Sequence, residues 1–426
     1  MSRFAVQCVV IAAGLGLAGC QSFGQGVTRA IIEESRAAPN GDQTLCEITG
    51  PSFAGLADAL AGGTAEHPKT ARLLIVHGIG EHLPGYSERQ QRNLAARLGL
   101  DQIDQRTKVV TITPPGPVAP GTDPATLRIN RYTDGHGRDL LTFETTWSPI
   151  TAPERRSLLF DGFGAAAKTR ADLNASLKSF MNQRAADPLA YRGAKGGIIR
   201  DAVVQSICWA TGGPWSAYPD ATTIRCDWSS TTRAVVSGDG FAISSHSLGS
   251  RITMDALEAL GELEADVPSG GNQALSAFRD KRISFFMLSN QLPLLQIGHA
   301  PPEEARSRTT YCGPAASEPE RRWAGKVSVV AFSDPNDLLS YAIPPDFAAA
   351  NLDSRLCTET TNVTVKVAKE IDLALTTFAS PEAAHLQYED DERVLELMVN
   401  GLGEAQIPAS CTWLRYAPVV SDQPVS

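Results

Sequence analysis

The 426-residue chain has no dense run of lysine or arginine, and its formal net charge is −9. Phosphate binding needs clustered positive charge, so a nucleic-acid partner is excluded. Neither a CxxC pair nor a Cys/His cluster with zinc spacing occurs, which argues against a structural metal. Internal repeats are absent. The one conspicuous apolar run, "VVIAAGLGLAG" near the N-terminus, is too short to cross a membrane stably. What remains is an ordinary globular composition, 42% hydrophobic and 20% charged, enough for one large or two moderate domains with a sizeable core.

The N-terminal run is informative for how it begins and ends. Arg3 supplies a positive start and "LAGC" closes the run at Cys20. This resembles a bacterial lipoprotein signal, with an ordinary secretory signal as the alternative. The resemblance implies that residues 1–19 are removed and that Cys20 becomes the diacylated first residue. Acyl chains rather than a spanning helix would then hold the protein to a membrane. Gln21, where some envelope proteins carry Asp, fits outer-membrane delivery, so the expected location is the bacterial cell envelope, facing periplasm or exterior. Cysteine counting agrees with export: of eight cysteines, Cys8 falls in the signal and Cys20 is the anchor. Cys46, Cys208, Cys226, Cys312, Cys357 and Cys411 remain, an even set for an oxidising compartment. Sequence order suggests Cys208 with Cys226 and Cys312 with Cys357, leaving Cys46 for Cys411, although six cysteines permit about fifteen pairings.

Residues 20–70, rich in Gly, Ala, Thr and Pro, read as a tether with a partly ordered end and a short helical patch at "VTRAIIEESRAA". From Ala71 to about residue 403, short apolar runs alternate with helical segments, the pattern of a mostly parallel sheet covered by helices. "ARLLIVHGIG" is a buried strand running into a glycine-punctuated loop, "YSERQQRNLAARLGL" has helical spacing, and "TKVVTIT" is another strand. The "DGHG" tetrapeptide at 134–137 marks a hairpin, expected at an antiparallel edge. Residues 148–239 read as a mainly helical insertion. The sheet resumes at "AVVSGDGFAIS", continues in "RISFFMLS" and "KVSVVAFS", and is followed by a last helix "DERVLELMVNG" with Gly401 as its C-cap. Residues 404–426 read as a C-terminal tail.

Within "FAISSHSLGSR", Ser247 lies between small residues, Ser245 and Gly249, at the junction of a strand and a helix. A sharp strand-to-helix turn needs small flanking residues because two backbones pass close together there. Such patterns usually begin with Gly, and here Ser245 stands in that place; a polar turn is the simpler alternative. Downstream, Leu248, Ile252, Ala256 and Leu260 form one row at four-residue spacing, while Arg251, Asp255, Glu258 and Glu262 lie on another face. A serine hydroxyl attacks only when a base takes its proton, and the base needs an orienting carboxylate. The loop "SDPNDLLSYAIPP" offers Asp334 and Asp337 just beyond a strand's carboxyl end, and Asp334, which precedes Pro335, reads more as a turn former and is the runner-up. "SPEAAHLQYEDD" offers His385 in a loop before the last helix. His67 and His82 come too early, His77 and His246 flank their segments but precede the loop and the turn, His136 sits in the hairpin, and His299 lies in a proline-rich loop before the acid.

Taken with "VHGIG", these segments fall in the order oxyanion loop, Ser, Asp, His. In this order and style residues 71–403 resemble the α/β-hydrolase superfamily, in the manner of its lipases and esterases. The resemblance implies an α/β fold with a helical lid-like insertion. Ser247 would be the nucleophile, His385 the general base and Asp337 its orienting acid. The amides of Ile79 and Leu248 would bind the oxyanion, with His77 bracing the loop. No cofactor is implied, and the expected partner is an acyl ester or lipid-like substrate. Acyl transfer on the same fold, peptide hydrolysis and a catalytically silent envelope lipoprotein are the alternatives. Leu158, Leu159, Phe160, Phe163, Phe180 and Met181 of the insertion would line an acyl pocket or, as apolar helical residues more often do, fill core.

Overall fold

The computed structural model describes residues 45–415 apart from 103–105, 119, 229–232, 266–275, 304, 306–307 and 374–375. The signal, Cys20 and the helical patch at 27–38 lie outside the described residues. In chain order the strands are β1 (Cys46–Thr49), β2 (Lys69–Val76), β3 (Lys108–Ile112), β4 (Ala125–Thr133), β5 (Arg138–Thr146), β6 (Ala221–Thr222), β7 (Gly240–His246), β8 (Arg282–Leu288), β9 (Lys326–Ser333), β10 (Thr358–Val365), β11 (Glu370–Leu373), β12 (Thr376–Ala379) and β13 (Thr412–Leu414). Eleven form one sheet in the order β13-β1-β10-β9-β8-β7-β2-β5-β4-β3-β6, and β11 pairs with β12 apart from it. From β5 to β10 every neighbour pair in that order is parallel. The fold is α/β, a large, mostly parallel sheet flanked by helices.

Both faces of the central strands are buried, and the side chains divide with period two. Leu74 and Val76 of β2, Phe285 and Met287 of β8, and Val329 and Ala331 of β9 enter one core. Leu73 and Ile75, Phe286 and Leu288, and Val330 and Phe332 enter the other. Helices α1 (Leu56–Leu60), α2 (Glu88–Leu98) and, later, α12 (Glu392–Asn400) cover the second core. The first is covered by α6 (Gly196–Ala210), α8 (Gly249–Ala265) and α10 (Phe347–Asn351). The remaining helices are α3 (Ala152–Leu159), α4 (Asp172–Arg184), α5 (Ala186–Arg192) and α7 (Arg233–Gly238), all in the insertion, with α9 (Leu292–Gln296) and α11 (Pro381–Leu386) later in the chain. Gly401 ends α12 at φ 71°, and the Asp391 carboxylate caps its start by accepting the Arg393 and Val394 N–H groups.

The structure departs from the sequence expectations in four places. Residues expected to be tether supply β1 and α1, and the expected tail supplies β13, which pairs with β1 at the sheet's far edge. The reason is long-range: Cys46 and Cys411 form a disulfide, so the first and last described strands are fastened to one edge. Cys208–Cys226 and Cys312–Cys357 are the other two pairs. The "DGHG" hairpin joins β4 to β5 antiparallel, but β5 continues inward as a parallel neighbour of β2. The hairpin is therefore no edge feature. Finally, the charged row of α8, which its spacing sets apart from the apolar row, is drawn into the protein as far as Glu258, while Glu262 is exposed. Arg251 is buried, hydrogen-bonded to Gln296 and paired with Asp255 and Glu258, and Tyr191 of the insertion donates to Asp255.

Candidate active site

Sheet order reverses beside β2: the chain leaves it for β5 on one side and returns as β7 on the other. Ligands of open α/β sheets bind outside the carboxyl ends of strands at such a reversal. Ser247 follows β7 there, at φ 54°. A non-glycine residue in the left-handed region is strained and marks a sharp turn. The neighbouring chain explains the small residues. A Cβ on Gly249 would stand 2.7 Å from the Val76 and His77 carbonyl oxygens, and one on Gly78 would stand 2.7 Å from Ser247 Cβ. Only glycine fits either position. Ser245 is accommodated because its buried hydroxyl pairs with Ser250 at 3.0 Å.

The loop after β2 is held by an aromatic stack. His77 lies between His82, with ring centroids 4.1 Å apart, and Trp147 at 4.6 Å. Its Nδ1–H donates to the Gly78 carbonyl at 2.8 Å, and its Nε2 accepts from the Trp147 amide at 3.0 Å. Burial, reinforced by the neighbouring His82, pushes the His77 pKa well below its ordinary value. A neutral ring with both nitrogens engaged braces the loop. Among the described residues, the N–H groups of Ile79 and Leu248 donate to no backbone acceptor. The next amide, Gly80 N–H, donates at 2.6 Å to Asp187 of the insertion. The other Asp187 oxygen accepts from Thr151 Oγ1 at 2.7 Å and from Arg155 at 2.9 Å.

Asp337 and His385 come together. His385 Nδ1 lies 3.0 Å from each Asp337 oxygen, and both side chains are buried. His385 occupies the short helix α11 rather than the expected loop, and the Ser380 hydroxyl caps that helix. Burial raises the Asp337 pKa, but hydrogen bonding and attraction from His385, together with the bonds from Ser289 and Leu339, prevail and hold it below its ordinary value. Asp334 serves the loop instead: its Oδ2 accepts the Val367 and Ala368 N–H groups at 2.6 and 3.1 Å, and its Oδ1 accepts Asn336 N–H at 2.7 Å. Burial pushes its carboxyl up.

The nucleophile and base candidates belong to one cluster. His246, immediately before Ser247, donates from Nε2 to the His385 carbonyl at 2.7 Å, and the two rings are 5.0 Å apart. Burial lowers the His246 pKa to about 3, so its role is neutral and structural. Ser247 Oγ and His385 Nε2 are both buried, and neither hydrogen-bonds to a described residue. Unsatisfied buried polar atoms are uncommon in native proteins and call for a reason. His246 links the two: it precedes Ser247 in the chain and binds the His385 carbonyl, so a buried donor and a buried acceptor are each left without a partner within the same group of residues.

Ser289 and Asp187 are contributors that sequence reasoning missed, and His246 is weighed there only as a base. The expected apolar lining also differs. Phe160 and Phe163 are 78% and 76% exposed, and Leu158, Leu159 and Met181 are exposed too, so they neither fill core nor enclose a pocket; the Phe180 side chain is not among those described. A cavity of about 220 Å³ opens beside the cluster, bordered by Tyr86, Gln90, Ser244, His246, Leu386 and Glu389 rather than by the insertion's phenylalanines. Among the described residues no group of His, Cys, Asp and Glu is placed to hold a metal ion, and no helix is long and apolar enough to cross a membrane.

The chain finds no counterpart among family models, curated proteins or solved structures.

Proposed function

We propose that the chain is a serine hydrolase of the α/β-hydrolase kind that cleaves acyl esters through an acyl-enzyme on Ser247. The observation that carries this reading is the Asp337–His385 pair, which leaves His385 Nε2 without a partner in a buried region where the Ser247 hydroxyl is unpartnered too. Ser247 Oγ attacks the ester carbonyl while its proton passes to His385 Nε2. Asp337 accepts the Nδ1–H and stabilises the imidazolium. The tetrahedral oxyanion is received by the Ile79 and Leu248 amides, with the N-terminal end of the 17-residue helix α8 adding its dipole. His385 returns the proton to the departing alcohol, and water repeats the sequence to release the acid.

The insertion acts as a lid in this reading. Its Arg184 lies 3.9 Å from Glu382 on the helix that carries His385, and its Asp187 holds the loop of Ile79. Exposed leucines next to the machinery support an acyl or lipid-like substrate: Leu338 follows Asp337 and Leu386 follows His385. We further propose lipid anchoring through Cys20 in the bacterial envelope. The test of the chemistry is labelling with a fluorophosphonate and mapping of the modified peptide. Label on Ser247 that is lost in Ser247→Ala is the expected result. A folded, disulfide-intact protein that takes no label would overturn the reading.

A further inference from the structure

The residue after β8 is also a serine in the left-handed region: Ser289 has φ 49°. Among the described residues only Ser247, Ser289 and Cys357 are non-glycine with positive φ, so two of the three strained positions lie at the ends of adjacent parallel strands. The register makes them neighbours. His246 pairs with Leu288, and the Ser247 amide donates to the Leu288 carbonyl at 2.9 Å. Strain of this kind is costly and persists where surrounding structure imposes it.

We propose that Ser289 is a positioning residue that fixes the Asp337–His385 pair for catalysis, an inference that rests on the hydrolase reading above. Its fully buried hydroxyl donates to Asp337 Oδ2 at 2.7 Å, and its oxygen lies 2.8 Å from His385 Nδ1. A hydroxyl has one proton. Given to the carboxylate, it leaves a lone pair that accepts the Nδ1–H, so Ser289, Asp337 and His385 close a three-membered ring of hydrogen bonds. That ring stabilises one tautomer, with the proton on Nδ1 and the lone pair on Nε2. It also tethers the carboxylate to the sheet: Asp337 lies on a loop four residues beyond β9, whereas Ser289 lies at the end of β8 itself.

The test compares Ser289→Ala, which removes the hydroxyl and keeps the backbone strain, with Ser289→Gly, which removes both. Both proteins are full-length with disulfides intact, and a thermal melt establishes that they fold. With a short acyl ester as probe, both variants are expected to lose about ten- to a hundredfold in kcat, the effect of a hydrogen bond to a charged group, with KM within about twofold of wild type. Fluorophosphonate should still modify Ser247, but more slowly by a similar factor. The downfield proton resonance of the His385 Nδ1–H should shift, which a purely structural role would not produce. Wild-type rates in either folded variant, with Ser247 labelled at the normal speed, would overturn the role of Ser289 and leave the triad standing. No label on wild-type Ser247 would overturn both.

Discussion

Replacing Asp337 by asparagine is the sharpest perturbation of the proposed relay, because it conserves shape while reversing one hydrogen bond. Asp337 accepts from His385 Nδ1, from Ser289 Oγ at 2.7 Å and from the Leu339 amide at 3.0 Å. An asparagine can keep the bonds made to its oxygen, but its NH₂ group then faces the Ser289 hydroxyl in the Oδ2 position or the Leu339 amide in the Oδ1 position, and Nδ1 in both. Facing Nδ1, it requires a lone pair there, moves the imidazole proton to Nε2 and removes the base from Ser247. The expected loss in kcat is about 10⁴-fold, as for an asparagine in an equivalent triad position, or about 5 kcal/mol of transition-state stabilisation. The control is Asp334→Asn. Asp334 accepts three backbone N–H groups and touches neither His385 nor Ser247, so the substitution should lower stability by about 1–3 kcal/mol while leaving kcat within a few-fold of wild type. Steady-state hydrolysis of a chromogenic acyl ester and urea denaturation of the three proteins supply both quantities. An equal loss of kcat in Asp334→Asn, or near-normal turnover in Asp337→Asn, would refute the assignment of the acid.

Asp187→Ala should destabilise the protein by about 3–5 kcal/mol in urea, because it strands the buried Arg155 guanidinium. It should also lower kcat by freeing the Gly80 amide beside Ile79; unchanged kcat would show that the insertion does not set the oxyanion loop. Glu258 predicts a pH effect. Burial raises its pKa from 4.5 to about 7 against the pull of Arg251, a guanidinium already engaged by Asp255. Between those values the folded state holds a proton that the unfolded state has lost, so stability falls as pH rises through that window, by about 3 kcal/mol in all. Glu258→Gln should flatten this slope when urea midpoints are compared at pH 5 and 8, and an unchanged slope would remove the residue from the account. Cys20→Ser should release the protein from membranes on fractionation; persistent membrane association would count against the acyl anchor.

Which features were legible in the sequence follows from how far their causes reach along the chain. The alternation of short apolar runs and amphipathic helices is local, and the α/β fold class follows from it because strands with both faces buried need helices on each side. The close approaches at Ser247 were legible for a similar reason: Gly78 and Gly249 are demanded by backbone geometry, and a glycine after a strand is visible in any reading. The edge strands were not. β1 has only four residues and β13 three, too short for periodicity to register, and their pairing depends on a disulfide spanning 365 positions. Arg251, Asp255 and Glu258 have the spacing of a solvated helix face, and only the arrival of Tyr191 and Gln296 from elsewhere buries them.

Ser289 is the most instructive of these cases, because nothing in "RISFFMLS" distinguishes its last residue from a strand's ordinary polar end. Its significance arises where three strand ends meet. β7 delivers Ser247 and β9 the loop of Asp337, and β8 lies between them in the sheet. His385 is 96 residues further along the chain than Ser289, and Asp337 is 48. A motif search tests residues against neighbours in sequence, whereas the strand order makes the carboxyl end of β8 the one backbone position flanked by both the serine turn and the acid loop. A small hydroxyl-bearing side chain there can reach the carboxylate without displacing it. The strand order therefore predicts that Ser289→Val should be worse than Ser289→Ala: valine adds bulk against Asp337 and His385, and its β-branch makes the positive φ costlier. Equal activities for the two variants, measured with the same ester, would mean that the end of β8 is less tightly enclosed than these hydrogen-bond distances require.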